Sequence, residues 1–329
     1  MQKHQFGGVN CYHAWMKPTS NIPAVQWIEV GPDHAGQRID NFLFVRLKGV
    51  PKSHVYRILR TGEVRRNGGR VRAEERLSAG DRVRVPPLRL ASRTADPGTL
   101  KGVRLEPRIL YEDDDLLVID KPAGIAVHGG SGLSYGVIES LRALRPDARS
   151  LELVHRLDRE TSGCLLIAKR RSALRLLHEQ FRGDDVGKVY LALFSGAWAR
   201  SRCRVDAPLR KNVLRSGERV VKVAGDGKPA VTEFRRRERY ASVTLVEARP
   251  ITGRTHQIRV HARHLGHPLA GDERYGEASA NRELRQLGLR RLFLHAAETT
   301  LRHPRTGEVL RFECPLPEEL SGFLSHLSK

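Results

Sequence analysis

An aspartate set among cations is the first feature of this chain that could do chemistry. In LVHRLDRETSGCLLIAKR, residues 153–170, Asp158 lies two positions after Arg156, directly before Arg159 and three after His155. A half-buried carboxylate so surrounded is expected to stay ionised, because neighbouring positive charge favours the charged form. Such a group can attack an electron-poor carbon or accept a proton. The competing reading is a structural ion pair with Arg156 or Arg159, and spacing alone leaves the two even. A second group lies in PITGRTHQIRVHARHLGHP, residues 250–268, where Thr255 is a fair N-cap and Gly266 and Pro268 stop a helix. Ile258, Ala262 and Leu265 form its apolar side, and His256, Arg259 and Arg263 a separate basic stripe. A guanidinium there could be presented to a carboxylate or phosphate; solvated cations are the plainer alternative. Tyr190, in KVYLALFSG, takes the strand face opposite Val189, Leu191 and Leu193. By itself it reads as an ordinary half-buried strand tyrosine.

Other chemistries lack their motifs. There is no GxGxxG after a strand, no GxxxxGK[ST] and no HExxH, so neither a nucleotide cofactor nor a zinc hydrolase site is expected. GGSG at 129–132 is too short for a phosphate cradle and reads as a loop. The 14 histidines are scattered, with His261 and His264 three apart on the basic helix, and no metal site is expected. Cys11, Cys164, Cys203 and Cys314 form no CxxC pair, which argues against a disulfide framework or a zinc site.

The elements that must position these residues fall into two groups. Residues 1–35 lack periodicity and read as an arm. In GQRIDNFLFVRLKGV, Ile39, Phe42, Leu43 and Leu47 recur at helical spacing. PKSHVYRILRTGEV predicts a second helix, with Ser53 as N-cap, Val55, Ile58 and Leu59 inward, and Arg57 and Arg60 on another face. Asn67-Gly68 marks a hairpin, and a strand is expected near Arg82 to Val85. Residues 36–87 thus form a helix–helix–hairpin unit carrying 13 Lys/Arg against 5 Asp/Glu, which suits a phosphate-binding surface. Residues 88–106 read as a linker. Beyond it, LLVID, GCLLIAKR, KVYLALFSG and VTLVEARP read as strands and SALRLLHEQF as a helix. Helices intervene irregularly, so an α+β fold with a mixed sheet is favoured over a doubly wound one.

The bulk composition agrees with this division. Lys plus Arg number 58 against 37 Asp plus Glu in 329 residues, a net charge of +21, which points to a polyanionic partner. Residues 1–20 hold no apolar signal-peptide core, and no 18-residue apolar run occurs. The expected compartment is the cytoplasm, and no membrane partner is expected.

Longer stretches carry a family resemblance. RIDNFL, PKSHVYRILRTGEVRRNGGRV and LSAGDRVRVP resemble an S4 RNA-binding domain. KPAGIAVHGG, LVHRLDRETSGCLLIAKR, GKVYLALFSG, GKPAVTEF, ITGRTHQIRVH, GHPLAGDERYG and LFLHAAE resemble, in order, the RluA-type pseudouridine synthases, and HRLDRETSG is a highly specific motif. Together with the S4 unit, the chain is most similar to the RluC-like members of that family.

The resemblance implies a mostly antiparallel catalytic sheet over residues 107–329, preceded by a small α/β S4 domain. It implies isomerisation of uridines in bacterial 23S rRNA, in and near the peptidyl transferase centre, without cofactor or metal. Asp158 is then the catalytic aspartate, Arg259 its partner and Tyr190 the residue that packs on the base and can help remove the C5 proton. Arg156 enters the RNA stack vacated by the flipped uridine, and Lys52, Arg57, Arg60 and Arg65 are expected to contact RNA. The expected partner is 23S rRNA or a large-subunit precursor, and the default state is a monomer. Two alternatives stay open: a non-catalytic RNA-binding or ribosome-assembly factor, and a synthase for other rRNA or tRNA uridines.

Overall fold

The structure, a computed structural model, describes residues 25–47, 50–88, 108–129, 136–148, 150–183, 185–213 and 219–328. The linker expected at 88–106, most of the N-terminal arm and most of GGSG lie outside these residues. The chain divides into two compact units, Met1–Lys101 and Gly102–Lys329.

The first unit contains β1 (Gln26–Glu29), α1 (Ile39–Arg46), α2 (Lys52–Arg60), β2 (Arg65–Arg66), β3 (Gly69–Arg70) and β4 (Arg82–Val85). Its antiparallel sheet runs β1-β4-β2-β3. Helices of eight and nine residues are too short to persist alone in water. They form because Ile39, Phe42 and Leu43 of α1 and Val55 and Ile58 of α2 are fully buried against Val83 and Val85 of β4. Each such side chain contributes about 1.5–3 kcal/mol on burial.

Asn67 and Gly68 form the expected hairpin turn, both with positive φ. Two readings need correcting. Ser53 does not cap α2: the helix already begins at Lys52, after Pro51, whose ring holds φ at −57° and presets the chain for helix entry. The arm read as reaching residue 35 contains β1, because Gln26–Glu29 pairs with the exposed edge of β4. A four-residue edge strand without alternation has too little pattern to be seen in sequence.

The second unit contains β5 (Arg108–Glu112), β6 (Leu116–Lys121), α3 (Val137–Leu144), β7 (Glu152–Leu153), β8 (Ser162–Ala168), α4 (Arg171–Arg182) and β9 (Gly187–Ser195). There follow β10 (Arg202–Asp206), β11 (Leu209–Val213), β12 (Arg219–Val223), β13 (Val231–Arg239), β14 (Val243–Pro250) and α5 (Gln257–His264). The chain ends through α6 (Ala278–Gln286), β15 (Leu294–Arg302), β16 (Val309–Glu313) and α7 (Glu318–Ser325).

One sheet dominates, in the order β10-β13-β14-β9-β15-β8-β6-β5, with β16 added beside β15 and β7 beside β8. Among the described residues its pairings are antiparallel except for β8 with β15. The mixed, mostly antiparallel α+β fold is as expected.

The parallel join lies next to β9, the strand that carries Tyr190. There Gly163 stands opposite Ala296 with φ 109°, and a Cβ at this position would lie 2.2 Å from the Ala296 carbonyl oxygen. Only glycine permits that approach. The same row continues from Ala296 to Tyr190 and on to Ala248. Three of these four residues are Gly or Ala, so the sheet around the Tyr190 ring carries little side-chain bulk. A bulge in β15 between Ala296 and Glu298 adds local twist beside Tyr190. α5 packs Ile258 and Ala262 with Ala192 and Ala248 on this face, while Leu320 and Phe323 of α7 pack with Leu193 on the other. No helix among the described residues is long and apolar enough to cross a membrane.

Candidate active site

Asp158 lies in the loop between β7 and β8, where its carbonyl accepts the Thr161 N–H at 3.1 Å. Lys121, fully buried, supports that loop. Its Nζ donates to the carbonyls of Pro122, Ile125 and Arg159 at 2.7, 2.8 and 3.2 Å, tying the KPAG turn to the backbone beside Asp158. Burial brings the Lys121 ammonium down to about 8, so it is still mostly protonated at neutral pH and can use all three N–H bonds.

The partners of Asp158 come from far away in the chain. Arg259 Nη1 lies 3.5 Å and His256 Nε2 3.8 Å from its Oδ2, and its side chain keeps 19% of its surface exposed. Arg259 in turn is held by Asp272, whose two oxygens accept Nε and Nη2 at 2.8 Å each. Asp272 is fully buried, and its Oδ1 also accepts the backbone N–H groups of Arg274 and Tyr275 at 3.0 Å. Burial opposes the Asp272 charge, but these donors outweigh it and hold the carboxyl below its usual range. Burial likewise opposes the Arg259 charge, and the bonds to Asp272 more than reverse that. The Arg259 guanidinium also lies 5.0 Å from the centre of the Tyr275 ring.

His256, not Thr255, caps α5, and does so in the left-handed region at φ 53°. That conformation costs a non-glycine residue of order 1–3 kcal/mol and recurs at functional sites. Tyr275 Oη accepts the Val221 N–H at 3.0 Å, which leaves its own proton for His256 Nδ1 at 2.7 Å. With that tautomer assigned, Nε2–H faces Asp158. Burial lowers the His256 pKa; Asp158 pulls the other way, while Arg259 and Arg274 reinforce the lowering. The basic stripe is therefore divided: Arg259 is buried and Arg263 exposed, because only the Arg259 side meets Asp272.

The cations adjacent in sequence do not hold Asp158. His155 stacks on Phe181 with ring centres 5.1 Å apart, and its Nε2 accepts the Leu166 N–H. Burial, with Lys188 adding, lowers its pKa to about 4, so it is neutral at pH 7. Arg159 pairs with Glu160 at 2.7 Å. Arg156 is exposed, and its guanidinium has no ion pair among the described residues.

Two concavities meet at Asp158. One, of about 640 Å³, is lined by Arg274, Arg285 and Arg290, the other, of about 530 Å³, by Tyr190, Phe181 and Lys188. Arg156, Leu157, Asp158, His256 and Arg259 line both. Asp158, Arg259, Tyr190 and Arg156 are thus brought together. Lys52, Arg57, Arg60 and Arg65 belong to the first unit, where all four are exposed. Burial pushes the Tyr190 phenol well above its ordinary range and the Asp158 charge adds to this, so it carries its proton at neutral pH. It can stack and donate a hydrogen bond, but phenolate is not its resting form.

This is a carboxylate braced by a guanidinium, beside an aromatic platform, in a basic cleft. The sequence profile of the RNA pseudouridylate synthases matches residues 115–264, and that of the S4 domain residues 37–83. A ribosomal large subunit pseudouridine synthase C of Yersinia pestis is 58% identical over 314 residues, spanning 94% of this chain and 98% of that protein. The chain belongs to the RNA pseudouridylate synthase family. The protein of the same name from Escherichia coli strain K12 is 57% identical over 313 residues, again spanning 94% of this chain and 98% of its own length. The solved structure of human RNA pseudouridylate synthase domain containing 1 superposes with a TM-score of 0.58 at 28% identity, covering 69% of this chain and 90% of that one.

As a pseudouridine synthase the chain is an RNA isomerase. Sequence reasoning assigned no role to Asp272, Tyr275 or Lys121. The available signal was slight: an acid directly after the apolar LAG in LAGDERYG, and a lysine ending the mostly apolar strand LLVIDK.

A further trio, Asp113, Asp115 and His303, could be mistaken for a metal site. His303 Nδ1 accepts the N–H groups of Arg305 and Thr306, so Nε2 carries the proton donated to Asp113 at 2.8 Å and offers no lone pair. Asp113 and Asp115 are already bonded to Tyr111 and Arg305. The donor set is structural.

Proposed function

We propose that this synthase isomerises uridines of 23S rRNA, or of a large-subunit precursor, with Asp158 as its catalytic group. One juxtaposition carries the chemical reading: the partly exposed Asp158 carboxylate, 3.5 Å from Arg259, at the edge of the cleft that Tyr190 lines. The rRNA target is supported by the near end-to-end likeness to proteins named for the large ribosomal subunit.

In this reading the target uridine is extruded, which costs a few kcal/mol. Its base lies on the Tyr190 ring, worth roughly 1–3 kcal/mol per stacked base. Arg156, unpaired at the shared wall, fills the space left in the RNA. Asp158 then acts on the sugar in one of two ways. As nucleophile it forms an ester bond to C1′ that breaks when C5 bonds there; as base it takes the C2′ proton beside an oxocarbenium-like C1′ and returns it as C5 bonds. The C1′–N1 bond breaks, the uracil turns, C5 bonds to C1′, C5 loses its proton and N1 gains one. Substrate and product are isomers, so the balance calls for no oxidant or nucleotide. With Tyr190 a phenol, its part is to hold the base and offer a hydrogen bond, not to act as a preformed phenolate.

The purified protein is expected to release tritium from C5-labelled uridine in transcribed 23S rRNA fragments. Mapping pseudouridines in rRNA from a strain lacking the gene identifies the positions. Unchanged 23S rRNA together with missing tRNA pseudouridines would replace the rRNA reading with a tRNA one.

Lys52, Arg57, Arg60 and Arg65 are exposed and take no part in an ion pair among the described residues, which supports a role as RNA-phosphate contacts of the S4 unit. Arg57→Glu/Arg60→Glu is expected to raise KM for an rRNA fragment about tenfold or more, and to reduce the salt slope of binding by roughly two. The single-turnover rate at saturating RNA should stay as in the wild type; a lower rate there would show that these cations serve the chemical step. We take the working form as a cytoplasmic monomer; sedimentation of the purified protein tests the monomer, and cell fractionation the compartment.

A further inference from the structure

Among the described residues, two buried side-chain polar atoms lack a hydrogen-bond partner, Thr161 Oγ1 and Glu247 Oε2. Glu247 is nonetheless ion-paired through Oε2 with Arg237. Thr161 is therefore the notable case. Its neighbour Ser162 shows the contrast: that hydroxyl meets Arg291 Nη2 and His295 Nδ1, both at 2.9 Å. A buried hydroxyl without a partner is unfavourable and calls for an explanation. Packing alone does not require it, since valine has the same shape.

Thr161 lines the cleft that also contains Asp158 and Tyr190, and its N–H closes the turn on the Asp158 carbonyl. At 1% exposure it lies in the floor of that cleft, where a seated nucleotide rather than bulk solvent is the natural partner. The carboxylate one turn away must reach C1′ of the target. The ring oxygen O4′ adjoins it, but the oxocarbenium-like centre needs its lone pair, which a donor would oppose. Two other oxygens lie close to that carbon: the ribose 2′-hydroxyl on C2′, and O2 of the uracil beside N1. A threonine hydroxyl can donate to either and can also accept from the first.

We propose that the Thr161 hydroxyl hydrogen-bonds the target nucleotide beside its glycosidic bond, at the ribose 2′-hydroxyl or the uracil O2. It is a positioning and recognition contact that holds the scissile bond in front of Asp158. The inference rests on the reading that this cleft takes the flipped uridine.

The test compares wild type, Thr161→Val and Thr161→Ser in the full chain, in single-turnover assays on an rRNA fragment with thermal melting alongside. Wild-type conversion checks the underlying reading independently; if wild type forms no pseudouridine, that reading fails first. With an active wild type, Thr161→Val is expected to react about tenfold or more slowly (about 1.4 kcal/mol), with an unchanged or higher melting temperature. Thr161→Ser should stay within about threefold of wild type. A 2′-deoxyuridine at the target then separates the two oxygens. Equal rates for wild type and Thr161→Val on that RNA assign the 2′-hydroxyl, and a persisting difference assigns O2. A Thr161→Val rate equal to wild type on ordinary RNA overturns the proposal. So does a loss of rate that follows a lower melting temperature and is not restored by serine, since packing then accounts for it.

Discussion

Asp158→Asn is expected to lower the single-turnover rate of pseudouridine formation by roughly 10³-fold or more, while RNA affinity stays within a few-fold of wild type. The amide keeps the shape of the side chain but can neither attack C1′ nor take a proton. Binding should survive because, in the proposed reading, the RNA is held by cations spread over the clefts and the S4 unit. Folding should survive as well. At 3.5 Å from Arg259 and 19% exposed, Asp158 is a loose partner, and Arg259 keeps its bidentate bonds to Asp272. A stability change under about 1 kcal/mol is expected, as for other partly exposed pairs. Single-turnover kinetics, filter binding and urea unfolding of one mutant preparation check all three. Substantial turnover by that variant would remove Asp158 from the chemistry.

The opposite pattern is expected for the second acid on the same arginine. Asp272→Asn should cost about 3–5 kcal/mol of stability, the usual cost of breaking a buried pair and leaving one charge uncompensated. The two oxygens of Asp272 accept four N–H groups, two from Arg259 and one each from Arg274 and Tyr275. An amide replacing either oxygen would set a donor against a donor. The loss is a large share of the 5–15 kcal/mol that folded proteins typically possess.

The effect also depends on pH with a definite sign. The folded pKa of Asp272 is lowered, with Arg259 outweighing burial, so its contribution is present above the unfolded carboxylate value of 3.8 and fades as pH falls through the folded value. Urea unfolding at pH 7 is the direct measurement, and a change below about 1 kcal/mol would contradict the buried-pair assignment. Activity should fall too, because Arg259 loses the partner that aims it at Asp158. One guanidinium thus links the buried Asp272 to the partly exposed Asp158, the carboxylate proposed to act on the sugar.

Much of this was readable before any coordinates. Strands such as LLVID and GCLLIAKR are apolar runs of strand length, and α2 and the Asn67-Gly68 hairpin follow from local spacing and turn chemistry. The collinear motifs named Asp158, Tyr190 and Arg259. What misled was adjacency. Arg156, Arg159 and His155 surround Asp158 in the chain, yet the side chains that face it are Arg259 and His256, the former 101 residues away. In an extended loop consecutive side chains diverge, so proximity in sequence says little about contact. Thr255 lost the cap to His256 for a related reason: the left-handed turn there comes with contacts to Tyr275 and Asp158, not with local propensity.

The sequence by itself determined the local elements, the basic character that suits RNA, and the residue types able to act on a glycosidic bond. These depend on periodicity, turn geometry and charge, which are properties of short segments. Only the tertiary structure decided which acid clamps Arg259 and which stays partly exposed, that β8 lies parallel to β15, and that the Thr161 hydroxyl is buried without a hydrogen-bond partner among the described residues. Those outcomes depend on distances of a few ångströms and on exclusion of water, and both arise only when segments remote in the chain are packed together.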